Sequence, residues 1–262
     1  MEINRIIAIA KKQLILNLRF KWGFFMNNFI FPLKSLISFF LIYIGFFYSG
    51  ANDIGGVTRG TYVVYLTLGM TFFMIFNTGW NAIAQSFMQE KFWQSIQGIL
   101  VSPAKKIEII LGYGIGGLMN FIPLLSISLI FCYILIPIGI IKFLYIIILL
   151  SLMYIIILGF GFIKAALNLS NENISALLTP AFWIWVALSC FYYPITSFPK
   201  FLYPIIYLNP IYHTNFVIKE LWIYGKFYPK SFFFLSLTAL ISLSVGIYIF
   251  NKVWKKIGIQ GY

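Results

Sequence analysis

An all-α integral membrane protein with six transmembrane helices is what the sequence predicts, on three observations. The first is composition: 61% of the residues are hydrophobic and 10% are charged, against roughly 45–50% and about 25% in a soluble domain. The second is the length of the uncharged runs. Residues 121–141 and 143–162 contain no Asp, Glu, Lys or Arg, and each is long enough to cross the roughly 30 Å of a bilayer's hydrocarbon. The third is the placement of the cations behind the net charge of +13. They flank the apolar runs instead of gathering on one soluble face, which matches the positive-inside bias and anionic headgroups and excludes nucleic acid as a partner. Nothing in composition marks a second domain, so residues 1–262 read as one transmembrane domain.

Residues 1–23 predict an amphipathic interfacial helix. Ile3, Ile6, Ile7, Ala10, Leu14 and Leu18 recur at helical spacing, while Arg5, Lys12 and Arg19 share another face that suits headgroups. A cleaved signal peptide is not expected from so amphipathic a start. The first span covers 29–48, with Lys34 snorkelling to the interface, and a glycine-rich turn over 49–60 leads to a second span over 61–84. A polar connector, 85–106, follows. The third span, 107–136, carries Gly112, Gly114, Gly116, Gly117 and Pro123 and is expected to bend or to begin outside the hydrocarbon.

The fourth span covers 143–167 and the fifth 174–193. From 194 to 225 the chain stays apolar, yet Pro194, Pro199, Pro204 and Pro210 interrupt it too often for a full span. An extracellular re-entrant helical pair is the reading that keeps such irregular backbone satisfied at membrane depth. The sixth span covers 231–250. Twelve Lys and Arg fall on the N-terminal side of this arrangement and six on the other. The bias predicts a multi-pass protein of the cell membrane with both termini in the cytoplasm.

Chemistry is sparse. A phosphate-cradling loop needs Gly-x-x-x-x-Gly-Lys-Ser/Thr, and the one Gly-Lys pair, Gly225-Lys226, precedes Phe227, so no ATP hydrolysis is expected from this chain. No nucleophile elbow or carboxylate pair appears, and no catalytic residue is assigned. His213 is the single histidine and Cys132 and Cys190 lie in apolar runs, which predicts neither a metal site nor a disulfide. An ion- or proton-coupled carrier is the alternative reading. It calls for an ionisable group near the midplane, and none of the six acidic residues is clearly placed there.

Two patterns carry more. In the connector, Phe92, Trp93, Ile96, Ile99 and Leu100 occupy one face of a short helix, with Glu90, Lys91, Gln94 and Gln97 elsewhere and Ser102-Pro103 ending it. Such a helix either rests on headgroups or docks into a partner's groove. On the second span, Thr67, Thr71, Thr78, Asn81 and Gln85 form one polar stripe, suited to lining a path or to bonding a neighbouring helix. Trp183, in the fifth span, is a further path candidate, since its ring can stack on sugars or flat apolar groups.

The run from Glu90 through Ser102-Pro103, followed by Ile107-Glu108-Ile109-Ile110-Leu111-Gly112, resembles the cytoplasmic connector of ABC-2-type transporter permeases. That family commonly reads acidic-x-x-x-Gly-Thr-Leu-Glu-x-Leu-Leu-Val-Ser-Pro there. This chain departs at Gln94, Ser95 and Gln97. Phe198-Pro199, Leu208-Asn209-Pro210 and the stretch to Gly225 look like the family's extracellular re-entrant segment. The resemblance implies a half-transporter that exports its cargo. Two permease chains, in the simplest case a homodimer embedded in membrane lipids, would be driven by separate ABC ATPase subunits that hold the ATP and Mg. It implies that Glu90, Lys91, Phe92, Trp93, Ile96, Leu100 and Pro103 form the coupling helix, and that Pro199, Asn209 and Pro210 mark the re-entrant motif.

Overall fold

The computed structural model describes residues 2–48, 53–54, 57–93, 98, 102, 104–171 and 173–260, and what it describes is almost wholly α-helical. In chain order the helices are α1 (Ile3–Arg19), α2 (Lys21–Phe25), α3 (Phe31–Tyr48), α4 (Arg59–Phe92), α5 (Lys106–Leu135), α6 (Ile140–Ser170), α7 (Ile174–Ala187), α8 (Tyr203–Leu208), α9 (Pro210–Tyr224) and α10 (Pro229–Gln260). A π-helical turn, Met26–Ile30, joins α2 to α3. Within the expected glycine-rich turn, Asp53–Ile54 and Val57–Thr58 form a two-rung antiparallel ladder.

The centre of the bundle is α6. It is apolar on nearly every side, as a buried helix or a membrane span is, and its first turns leave residues such as Ile141 and Leu144 exposed. Ile146, Leu149, Met153, Ile156 and Ile157 are fully buried among α4, α7, α9 and α10. A Cβ at Gly246 of α10 would come within 2.4 Å of the Gly159 carbonyl oxygen of α6, so paired glycines set how closely these two backbones lie. On the far side of α4 stands α5, and α1 runs along α5. The outward residues of α5 and α10, such as Ile127, Ile130, Phe233 and Leu240, are apolar and exposed, as a lipid-facing surface is.

Among the described residues four helices are long and apolar enough to cross a membrane: α4, α5, α6 and α10. Several sequence expectations change here. The third span, expected to bend or to begin outside the hydrocarbon, is one continuous helix, α5, with Pro123 inside it. Its glycines are packing notches. Gly112 and Gly116 seat α1, with Ile9 Cβ and Gln13 Cβ at 2.6 and 2.8 Å from where their side chains would begin, and Gly117 seats Ala82 of α4 at 2.5 Å. The second span was expected to stop at residue 84, but the helix runs on through Phe92, so 85–92 is its continuation and no loop. The fifth span was expected to reach residue 193. Helix α7 ends at Ala187 after 14 residues, about 21 Å, where Cys190 turns the chain at φ 52°. Helix α3 covers most of the expected first span in 18 residues.

Candidate functional site

At the end of the bundle that holds the N-terminus, α1 is fastened by two buried carboxylates. Glu90, near the end of α4 and 3% exposed, accepts hydrogen bonds from Lys12 Nζ at 2.6 Å and Tyr113 Oη at 3.2 Å. Glu108, in the first turn of α5 and 0% exposed, accepts the backbone N–H groups of Glu2 at 2.8 Å and Lys105 at 3.0 Å. Arg5 stands 3.8 Å from it. A carboxylate withdrawn from water needs such partners, because an uncompensated buried charge is strongly destabilising. Arg5 and Lys12 are two helical turns apart, and the two acids bracket the connector in sequence. The sequence assigned both cations to a headgroup face; the structure turns them inward.

Of the proposed coupling residues, Glu90 is therefore held inside the chain. Phe92 and Trp93, at the end of α4, are 88% and 52% exposed. Lys91 continues the α4 backbone. Ile96, Leu100 and Pro103 lie outside the described residues.

Above this brace a cavity of about 520 Å³ opens between α1, the π turn, α4 and α5. Its lining is rich in amides. Gln13 and Asn17 come from α1, Asn27 and Asn28 from the π turn, Asn77, Asn81, Gln85 and Gln89 from α4, and Asn120 from α5. Thr78 and Ser86 add hydroxyls, Phe20, Phe24, Phe121 and Tyr113 add rings, and among the described residues no Asp, Glu, Lys or Arg lines it. Consecutive Asn27 and Asn28 reach the same cavity where the backbone is π-helical, a geometry often found at functional sites. Asn81 donates to Asn77 Oδ1 at 2.9 Å and accepts from Lys164 of α6, whose ammonium also lies 5.3 Å from the Trp80 ring.

The polar stripe thus divides. Thr78, Asn81 and Gln85 line the cavity. Thr67 and Thr71 are buried and donate back to Val63 O and Thr67 O of their own helix, each at 2.8 Å. Trp183 lies elsewhere, stacked on Phe73 with ring centroids 6.1 Å apart. The walls from α1, the π turn and α5 were missed because Gln13, Asn17 and Asn120 are scattered singly through unrelated segments.

At the opposite end, Asn209 organises the start of α9. Its Oδ1 caps the Ile211 N–H at 3.0 Å and accepts from Trp185 Nε1 at 2.9 Å, while its Nδ2 donates to Ser189 Oγ at 3.0 Å. Pro210 follows at the first helical position, where its missing N–H costs nothing, and Pro199 precedes a single 3-10 turn. Two further α9 side chains satisfy the turn that ends α7. Asn215 donates to the Ser189 and Cys190 carbonyls at 3.0 and 2.8 Å. Lys219, 3% exposed, donates to the Phe191 carbonyl at 2.6 Å with its ammonium 3.5 Å from the Tyr65 ring centroid.

A helical bundle with several bilayer-length apolar helices, two of which, α4 and α5, wall an amide-lined cavity together with α1 and the π turn, is that of a multi-pass membrane protein. The family description "ABC-2 type transporter" matches residues 4–218, and the chain belongs to that family. No curated protein matches it. The matched region spans α1 through most of α9, so it takes in the brace, the cavity and the Asn209 cap.

Proposed function

We propose that this chain is the membrane-spanning permease subunit of an ATP-driven exporter, acting as a homodimer beneath which separate ABC ATPase subunits bind. The observation that carries the proposal is the ABC-2 match over residues 4–218, which does not favour the ion-coupled alternative. In this reading α3 and α7 join the four longer helices to give six crossings of the cell membrane, with 194–225 re-entrant from outside and both termini in the cytoplasm. The connector after α4 is the coupling element. Phe92 and Trp93, exposed at the end of α4, begin its docking face. Glu90 and Glu108 tie both flanks of the connector to α1, so a push on it reaches the wall of the cavity that α1 supplies. Coupling of this kind needs a two-state element biased by the partner.

The test is to purify the chain alone and together with a candidate P-loop ABC ATPase from the same organism. Alone it is expected to hydrolyse no ATP, since it lacks a phosphate-cradling loop; together they form a complex whose hydrolysis responds to cargo. Robust hydrolysis by the chain alone, or no association with an ATPase, contradicts the proposal.

A further inference from the structure

The amide-lined cavity restricts what can occupy it. Among the described residues its lining carries no ionised side chain, the Lys164 ammonium behind Asn81 being already hydrogen-bonded to that wall, and an ion withdrawn from water without a counter-charge is costly. An anionic or cationic headgroup is therefore disfavoured. A purely apolar occupant fares no better, since it would strip water from the amides of four elements and return no hydrogen bonds. Asn120 states the requirement most sharply, because its Oδ1 is buried and has no hydrogen-bond partner among the described residues. The occupant has to be polar, uncharged and equipped with donors as well as acceptors.

Shape narrows the class further. The amides converge from α1, the π turn, α4 and α5, so the cavity offers mixed donors and acceptors on several sides. A hydroxyl donates and accepts at one atom, so a ring of hydroxyls can meet such a wall in many orientations. A peptide spreads its donors and acceptors along one line and matches this enclosure less well. The rings of Phe20, Phe24 and Phe121 supply faces for the C–H surface of a sugar. The volume of about 520 Å³ falls within the roughly 300–1,000 Å³ of small-molecule sites. Beside the cavity, Trp22 and Phe25 of α2 are exposed next to Lys21, an arrangement suited to the headgroup zone of a bilayer.

We propose that this cavity is a loading site for an uncharged, hydroxyl-rich group of the glycoside or polyol class, carried on a lipid or free in solution. The assignment rests on the transporter reading and names its substrate class.

The full-length chain, purified in a detergent without sugar headgroups and placed in phosphatidylcholine nanodiscs, is titrated with four probes while its unfolding temperature is followed. The probes are monoglucosyldiacylglycerol, methyl β-glucoside, phosphatidylglycerol and a neutral tripeptide. The glucolipid is expected to raise the unfolding temperature saturably. Gln85→Leu and Asn120→Leu each weaken its apparent affinity at least tenfold, and Thr71→Val, buried away from the cavity, leaves it unchanged. Gln85 lies on the exposed wall, so its variant keeps the test decisive if Asn120→Leu fails to fold. An equal effect of methyl β-glucoside at similar concentration assigns the group to a soluble source and upholds the class. Tighter binding of phosphatidylglycerol or the tripeptide, no saturable glucoside effect, or full affinity in Gln85→Leu overturns it. No ATPase or nucleotide is present, so failure here leaves coupling to the ATPase untouched, and loss of that coupling leaves this binding measurement intact.

Discussion

At the N-terminal end of the bundle two buried carboxylates are matched by cations from a separate helix, whereas at the other end one buried ammonium is matched by the carbonyls of an interrupted turn. The first arrangement is open to water on one side only. Lys12 and Arg5 keep 48% and 34% of their side-chain surface exposed, which screens the pairs, while Glu90 and Glu108 are buried and depend on their partners. The second cannot easily open. Lys219 is enclosed between the Phe191 carbonyl and the Tyr65 ring, and Asn215 holds the adjoining carbonyls. A Cβ on Gly69 of α4 would come within 1.8 Å of the Phe191 carbonyl oxygen, so α4 closes over the same turn. The contrast sets a brace that water reaches against a cap that is enclosed and rigid.

The largest expected effect is therefore at the rigid end. Lys219→Met keeps the apolar stem and removes the ammonium, leaving buried carbonyls without a strong donor, at a cost of about 2–3 kcal/mol in unfolding free energy. Denaturant titration in mixed micelles measures it. A loss below about 1 kcal/mol removes the basis for calling this end rigid.

A smaller effect is expected at the brace. Lys12→Ala should cost about 1 kcal/mol, discounted because half of the lysine is exposed, and the same substitution made on Glu90→Gln should cost nearly nothing more. A coupling energy of about 0.5 kcal/mol or above in that double-mutant cycle supports the pair; additive losses show that Glu90 is held by Tyr113 without help from Lys12.

How much of this was legible depended on whether a side chain's partner lay nearby in sequence. The long uncharged runs of α5, α6 and α10 announced themselves, because length and apolarity are local properties. Leu208-Asn209-Pro210 was marked only through the family resemblance, and its role as a helix start, with cap and first-turn proline adjacent, came from the structure. The pairing of Lys12 with Glu90 joins residues 78 apart, and no spacing rule reaches that far. For the same reason α1 looked like a helix resting on headgroups: its cations fit that role until the acids are placed beside them. The glycines of α5 were legible as a set but not as seats for α1 and Ala82, since a notch for a neighbour and a bend in a helix are written with the same residue. Three of the five residues of the polar stripe on α4, Thr78, Asn81 and Gln85, line the cavity. Thr67 and Thr71 share its periodicity, but their hydroxyls are short enough to bond their own backbone.

The central claim is that the end of α4 passes a partner's ATP-driven motion to the bundle. The most direct measurement reconstitutes the chain with its ATPase and compares wild type, Trp93→Ala and Lys219→Met for association and cargo-stimulated hydrolysis. Trp93→Ala is expected to weaken association by about 2 kcal/mol, more than tenfold, as a buried aromatic anchor does, while Lys219→Met lowers stability and leaves association at the wild-type level. Unchanged association and unchanged stimulation in a folded Trp93→Ala protein would contradict the account.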